Sequence, residues 1–220
     1  MKYVLVLCDG MADYPVKSLN GKTPLEAAKT PNMDALAQTA QIGLVKTVPD
    51  GFKPGSDVAN LGVLGFDART CYTGRSPLEA LSIGIDLKAD DLAMRANLVT
   101  LSDNEPFEDK IMLDYSSGEI DADEACELMD CVKDNFNCDK FRFYTGTSYR
   151  NCLVVSRAKP EEDLTPPHDI SGLRIGEYLP KGTLGKDLTS FVVNSYEILK
   201  DHPINVRRIE RGENPANAVW

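Results

Sequence analysis

The distribution of apolar and polar positions predicts alternating strands and helices in the first part of the chain. Two apolar runs with β-branched residues, KYVLVLC at 2–8 and IGLVKTV at 42–48, are typical of strands, and the first is apolar enough to be buried on both faces. Threonine–proline pairs start one helix at 23–26, where a glutamate completes a capping box, and another at 30–31, which leads into MDALAQTA at 33–40. A serine–proline pair starts another at 76–79. This alternation predicts an α/β fold with a parallel sheet.

The pattern changes at about residue 90. Residues 91–101 and 110–115 have the composition of neighbouring strands, and apolar residues at helical spacing predict an amphipathic helix over 121–136. Two further strands are predicted at 140–145 and 150–156. Two strands, a helix and two strands describe a small α+β unit.

The predicted domain organisation places this α+β unit inside another domain. A helix is predicted at 184–200, and His202 after it is expected to cap that helix at its C-terminus. We expect residues 1–86 and 187–220 to form one domain, with residues 87–186 inserted into it as a second domain.

Composition excludes several classes of partner. The 220-residue chain is 42% hydrophobic and 26% charged, with no apolar run near the roughly 18 residues that span a bilayer. Its N-terminus lacks a signal-peptide pattern, so a cytoplasmic location is expected. The net charge of −10 repels polyanions, which disfavours nucleic acid and anionic membranes as partners. The sequence does not predict the oligomeric state. The cysteines lack CxxC and zinc-ligand spacing and are expected to be reduced structural thiols: Cys8, Cys71, Cys126, Cys131, Cys138 and Cys152.

Asp9 stands directly after the first predicted strand and before Gly10. Ligands of open α/β sheets bind beyond the carboxyl ends of the strands, so a carboxylate here suits a hard cation or a phosphoryl-transfer site. The alternative is that Asp9 only caps the turn. A dehalogenase-type phosphatase would need a second aspartate two residues on, where this chain has Met11.

Ser56 stands where a proline- and glycine-rich loop meets the next helical pattern. Serine is a preferred N-cap residue, so a structural role is one interpretation. The other is a nucleophile, because Gly55 permits close backbone approach, a helix N-terminus stabilises a phosphoester, and an adjacent metal activates a hydroxyl.

Three arginines and a histidine are the candidate substrate-binding residues. Guanidinium groups bind phosphate or carboxylate through two parallel hydrogen bonds, although most surface arginines are only solvated. A histidine can donate a hydrogen bond to a substrate oxygen or act as an acid or base, and its alternative is a turn residue bonded to the backbone. These candidates are Arg75, Arg95, Arg150 and His168.

Five segments in one order carry a family resemblance: DGMADYP, GKTPLEAAKTPNMDALA, PGSDVANLGVLGFDA, YTGRSPLEA and NPANAVW. Together they resemble the archaeal-type cofactor-independent phosphoglycerate mutases of the alkaline phosphatase superfamily. In that family a serine carries a phosphoryl group between the 2- and 3-hydroxyls of glycerate, with two divalent metal ions, usually manganese, magnesium or zinc. The resemblance implies that residues 1–86 and 187–220 form part of a metal-dependent phosphotransferase core of the alkaline-phosphatase type, with a parallel-rich sheet that is incomplete in this chain. It also implies that residues 87–186 are a mobile inserted α+β domain that binds substrate.

The resemblance also implies residue roles. It makes Asp9 a metal ligand and Ser56 the phosphorylated nucleophile, also metal-bound. It makes Arg95, Arg150 and His168 contacts of a small phosphorylated hydroxy acid.

Two departures from the family pattern affect this interpretation. The family continues past the position of Trp220, where its aspartate and histidine motifs supply most metal ligands, so we expect this chain to be an N-terminal part and inactive alone. The segment GSDVAN, with Asn60, and YTGRSPLEA resemble a bacterial subgroup proposed to act as homoserine kinases. Homoserine or another small hydroxy acid is therefore the alternative substrate, and a non-catalytic binding module is the alternative of another class.

Overall fold

The computed structural model describes residues 2–8, 10–159 and 163–220, which divide into two compact units, Met1–Arg69 and Thr70–Trp220. Helices and strands are mixed along the chain, in agreement with the predicted α/β class. The predicted domain limits near residues 87 and 186 remain a prediction. In the described ranges, no helix combines the length and apolar character needed to cross a bilayer.

The first unit contains short helices joined by irregular segments. Its predicted capping box is present, because Thr23 Oγ1 accepts a hydrogen bond from the Glu26 N–H (3.2 Å) and Glu26 Oε2 accepts one from the Thr23 N–H (2.8 Å). The helices are a 3-10 turn at Lys17–Leu19, α1 (Pro24–Ala27), α2 (Pro31–Ala37) and α3 (Ser56–Val63). In sequence, α4 (Ala68–Cys71) runs across the boundary between the two units.

The strands predicted at 2–8 and 42–48 are wrong, because neither segment forms a strand in the structure. Their apolar side chains are largely exposed, and Val6, for example, is 75% exposed. A strand exists only within a hydrogen-bonded ladder, and one buried on both faces also needs covering helices. Among the described residues, no hydrogen-bonded ladder includes either segment. The predicted parallel sheet is accordingly not formed by the described residues, in which the paired strands are antiparallel.

The second unit is built on a five-stranded sheet in the order β2-β1-β4-β3, with β5 also paired to β1. The predicted order of two strands, a helix and two strands is confirmed. In the β1–β4 ladder, Arg95 lies opposite Cys152. The elements are α5 (Arg75–Ser82), β1 (Leu92–Leu101), β2 (Met112–Asp114), α6 (Ala122–Phe136), β3 (Phe141–Thr147), β4 (Arg150–Val155), α7 (Gly185–Leu199), α8 (Pro203–Glu210) and β5 (Ala218–Val219), with 3-10 turns at Phe107–Asp109, Pro167–Ile170 and Gly176–Tyr178.

Alternate residues of the sheet enter two different hydrophobic clusters. Met94 and Leu153 belong to a cluster that includes residues of α6 and α7, whereas Ala93 and Val154 pack with Ala80 of α5. Because successive side chains of a strand point to opposite faces, α5 lies on one face of the sheet and α6 and α7 on the other. The predicted apolar stripe of α6 is buried as expected: Ala125, Leu128, Met129 and Val132.

Three local predictions can be compared with the second unit. The helix expected to start at Ser76 starts one residue earlier, at Arg75, after Gly74, whose φ of 113° suits glycine. His202 is not a C-terminal cap, because it precedes Pro203 and its Nδ1 accepts a hydrogen bond from the Ile204 N–H (3.3 Å), which makes it the N-cap of α8. The six cysteines are free thiols in the structure; Cys152 is buried, Cys131 is half-buried and the other four are exposed, so the predicted structural role fits Cys152 best.

Candidate functional site

A cavity of about 370 Å³ in the second unit brings together three of the four residues predicted to bind substrate. Arg75 is the first residue of α5, Arg95 lies in β1, and His168 lies in the 3-10 turn Pro167–Ile170. These residues are distant in the sequence, and the fold of the unit places them around one space.

Most of the remaining cavity wall is apolar. β3, β4, β5 and α7 contribute part of this wall, and β1 and the segment 164–180 contribute more of it; the residues from the first four elements are Phe143, Leu153, Leu188, Phe191, Val192 and Val219. Charges beside such a wall are less screened than charges in open water, so an anion near the arginines would be bound more strongly than on an open surface. The cavity therefore combines a cationic end with a low-dielectric wall.

Glu79 links the two arginines of the cavity. Arg95 donates to both carboxylate oxygens of Glu79, through Nε to Oε2 at 2.5 Å and through Nη2 to Oε1. Arg75 Nε lies 3.3 Å from the same Oε1, one helical turn away on α5. The hydrogen bond from Arg95 to Glu79 raises the pKa of the guanidinium, outweighing its partial burial. Arg95 is therefore held charged in one orientation.

Arg150, the fourth predicted residue, does not line this cavity. It lines a neighbouring cleft of about 190 Å³ whose wall also includes Arg95. Arg150 Nε donates to the Tyr149 hydroxyl (3.0 Å), and its guanidinium carbon lies 5.0 Å from the centroid of that ring. Tyr115 makes edge-to-face contacts, each with a centroid distance of 6.0 Å, to Tyr149 and to His168. A chain of ring contacts thus connects Arg150 to the histidine of the cavity.

His168 is half-exposed, and its Nε2 lies 3.4 Å from Asp169 Oδ1. An exposed imidazole beside a carboxylate can donate a hydrogen bond to a ligand or exchange a proton with it. Its predicted role as a substrate contact is thus compatible with its place at the cavity wall.

Asn97 is a cavity residue that the sequence interpretation missed. Its side chain is buried, with the residue 3% exposed, and its Oδ1 has no hydrogen-bond partner among the described residues. A buried acceptor without a donor costs free energy, so a ligand carrying a hydroxyl or N–H group could satisfy it. The signal was available, because Asn97 follows Arg95 by two residues in a strand, and such residues share a face. Glu79 was equally accessible, four residues after Arg75 on a helix.

Ser56 lies in the first unit, as the first residue of α3. Gly55 occupies the N-cap position, so the interpretation of Ser56 as the N-cap residue is wrong. The serine is exposed at the start of a helix, a position that favours an anion. Asp9, the predicted metal ligand, lies outside the described residues.

The described residues do not fit a metal centre by themselves. In residues 2–8, 10–159 and 163–220, histidine, cysteine, aspartate and glutamate side chains form no group of three or more that could hold an ion. A structural centre for a divalent metal normally uses more protein ligands than this arrangement supplies.

Comparison with known proteins gives consistent matches along the whole chain. Residues 37–205 match the family model described as 2,3-bisphosphoglycerate-independent phosphoglycerate mutase. The chain is 48% identical over 220 residues to a probable enzyme of that description from Geobacter sulfurreducens, covering 100% of this chain and 55% of the relative. It is 47% identical over 221 residues to one from Methanosarcina mazei, covering 100% of this chain and 54% of the relative. The chain thus spans about half the length of the curated relatives it matches.

Two solved structures are also similar. A cofactor-independent phosphoglycerate mutase from Thermoplasma acidophilum has a TM-score of 0.57 and 28% identity, with 96% of this chain and 56% of the other covered. A protein from Pyrococcus horikoshii has a TM-score of 0.70 and 30% identity, with 96% and 48% covered.

Proposed function

This chain belongs to the family of 2,3-bisphosphoglycerate-independent phosphoglycerate mutases, and on that basis we propose that the protein interconverts 2- and 3-phosphoglycerate through a phosphoserine at Ser56. The observation that carries the proposal is the cavity of the second unit, in which Arg75, Arg95 and His168 come together.

The charges of the cavity suit such a substrate. A phosphoglycerate carries a carboxylate and a phosphate, and a chain with a net charge of −10 must offset that charge locally. Two guanidinium groups that share one carboxylate leave a net positive charge beside an apolar wall, and the unpartnered Asn97 Oδ1 can accept a hydrogen bond from a glycerate hydroxyl. We assign Arg75 and Arg95 to the anionic groups, His168 to a substrate oxygen, and Arg150 to an outer contact from its neighbouring cleft.

The proposed reaction has two displacement steps. In the first, Ser56 Oγ forms a bond to phosphorus while the bond from phosphorus to the substrate oxygen breaks, and the serine proton passes to that oxygen. The glycerate, still bound, then presents its other hydroxyl. In the second step the oxygen of this hydroxyl forms a bond to phosphorus while the bond from phosphorus to Ser56 Oγ breaks, and the hydroxyl proton passes to Ser56 Oγ. Donors held in position around the transferring group stabilise its charge in both steps.

The family is metal-dependent, and we propose that two divalent ions, manganese, magnesium or zinc, serve this protein, with Asp9 and Ser56 among their ligands. Bound ions would neutralise charge on the phosphoryl group. Dialysis against a chelator is expected to abolish turnover, and added manganese is expected to restore it.

Replacement of the nucleophile tests the proposed function. In the natural full-length protein, Ser56→Ala is expected to abolish interconversion of the phosphoglycerates and the mass increase of one phosphoryl group on the quenched enzyme. Ser18→Ala is the matched control, since Ser18 is also exposed in the first unit and begins no such helix. Retained turnover in Ser56→Ala would refute the assignment. Homoserine with a phosphoryl donor is assayed in parallel. If the protein phosphorylates homoserine and does not convert phosphoglycerate, phosphoglycerate is refuted as the substrate.

A further inference from the structure

We propose that Glu79 is a positioning residue that sets the orientation of Arg75 and Arg95 for an anionic substrate. The inference rests on the proposed function, because it concerns how the same cavity binds its ligand. It assigns a role to Glu79, which was not among the site residues predicted from the sequence.

The backbone of Glu79 is fixed by its neighbour. Ala80 is fully buried and packs with Ala93 and Val154 on the sheet face that α5 covers. Burial of Ala80 anchors the middle of a short helix, and Glu79 therefore presents its carboxylate from a rigid support. The Glu79 side chain is 35% exposed, and its carboxylate contacts both guanidinium groups.

The contacts leave both arginines able to bind a ligand. A guanidinium has five N–H groups, and the two-point contact of Arg95 with Glu79 uses two of them. Arg75 Nε lies 3.3 Å from an oxygen of the same carboxylate. Long side chains lose rotational freedom when they bind a ligand, so arginines already held in one orientation lose less and bind more tightly.

Two effects of Glu79 on substrate affinity have opposite signs. Its negative charge repels an anion a few ångströms away, so removing the charge would lower KM if charge were its only influence. Its contacts orient the two arginines, so removing them raises KM if positioning dominates. The sign of the change in KM therefore separates the two roles, and a purely structural role changes stability with no change in KM.

The kinetic test compares Glu79→Gln with Glu79→Asp in the natural full-length protein. We expect Glu79→Gln to raise KM for 3-phosphoglycerate about tenfold while kcat changes by less than about threefold, since uniform binding is lost and the chemical step is not. Glu79→Asp keeps the charge on a shorter side chain and is expected to fall between Glu79→Gln and the wild type. Glu197→Gln removes the same charge from an exposed lysine pair on α7 and is the matched control, with KM unchanged.

A nuclear magnetic resonance measurement provides a readout independent of activity. The Nε–Hε signal of Arg95, assigned by its disappearance in Arg95→Lys, is expected to exchange slowly with water in the wild type and rapidly in Glu79→Gln. Glu197→Gln is expected to keep the slow exchange.

The outcomes distinguish the two proposals. An active wild type with an unchanged or lower KM in Glu79→Gln overturns the positioning role and leaves the proposed function standing. A wild type without mutase activity overturns the proposed function, and the Arg95 signal then decides whether Glu79 orients that side chain. If Glu79→Gln does not fold, Glu79→Asp decides: a raised KM at unchanged melting temperature supports the role, and an unchanged KM overturns it.

Discussion

Arg208 of α8 makes a buried ionic contact in the second unit, and its removal gives a quantitative test of the structure. The residue is 4% exposed. Its guanidinium donates to Glu124 Oε2 of α6 (2.5 Å), to the Ser117 carbonyl (2.8 Å) and to the Asn214 carbonyl (2.9 Å). One side chain thus joins α8, α6 and two loops.

The expected cost of Arg208→Ala follows from these contacts. Hydrogen bonds from a charged donor contribute about 1.5 to 3 kcal/mol each, and breaking a buried ion pair costs about 3 to 5 kcal/mol. Glu124 keeps a second partner, Arg211 Nη2 at 2.7 Å, which reduces the loss. We therefore expect a decrease of about 3 kcal/mol in the free energy of unfolding. For a unit of this size, that corresponds to a fall of about 6 to 12 °C in melting temperature.

Urea unfolding followed by the fluorescence of Trp220 is the appropriate assay. Trp220 is the one tryptophan of the chain, and its Nε1 donates to the Thr165 carbonyl (2.9 Å), so its emission reports on the second unit. Arg207→Ala is the matched control, because it makes the same change at an exposed position of the same helix. It is expected to change stability by less than about 0.5 kcal/mol. If the two variants differ by less than that, the reasoning is wrong.

The stability difference between the wild type and Arg208→Ala is expected to depend on pH. Burial raises the pKa of Glu124, but hydrogen bonds from Arg211 and Arg208 outweigh it and hold the pKa below its ordinary value of 4.5. A carboxyl with a lowered folded pKa contributes stability above pH 4.5 and loses that contribution as the pH falls through the folded value. The difference between wild type and Arg208→Ala is therefore expected to shrink below pH 4.5, and a constant difference down to acid unfolding would contradict the ion-pair explanation.

Three further predictions concern single residues. Burial lowers the pKa of His202 from 6.5, and its Nδ1 accepts the N-cap hydrogen bond, so the melting temperature is expected to fall as the pH drops below 6.5. This fall is expected to be smaller in His202→Asn, and the same dependence of melting temperature on pH in both proteins would count against the cap. Burial, with a smaller effect of the nearby Glu79, raises the pKa of the Cys152 thiol to about 11. Mass spectrometry after alkylation at pH 8 is therefore expected to find Cys152 unmodified while the exposed cysteines react, and equal labelling of Cys152 would refute its burial. A Cβ on Gly62 would lie 2.5 Å from the Thr47 carbonyl oxygen, so Gly62→Ala is expected to destabilise α3 by about 1 to 3 kcal/mol, measured from the exchange rates of its amide hydrogens. Gly43→Ala is the control, because a Cβ there would have no atom within 4 Å.

Local chemistry made some parts of the structure predictable. The apolar stripe of α6 repeats at helical spacing, and the capping box at Thr23 needs only residues three apart, so both could be identified from the sequence and both are present. The strands of the second unit were also predictable, because β-branched and apolar runs lie next to one another along the chain. Arg75, Arg95 and His168 were chosen by residue type, since guanidinium and imidazole groups suit anions.

Tertiary structure decided what those local signals could not. The runs at 2–8 and 42–48 have strand composition, yet a strand forms only when a neighbouring chain supplies its ladder, and no local pattern contains that neighbour. The same limit applies to the cavity. Arg95 is 16 residues from Glu79, and only the packing of α5 on β1 brings the guanidinium to the carboxylate. The sequence by itself determined the capping box at Thr23, the apolar stripe of α6 and which side chains can bind an anion, because these depend on residue type and on neighbouring residues. Which of those side chains meet was decided by the tertiary packing, because distance in space is set by contacts between residues far apart in the chain.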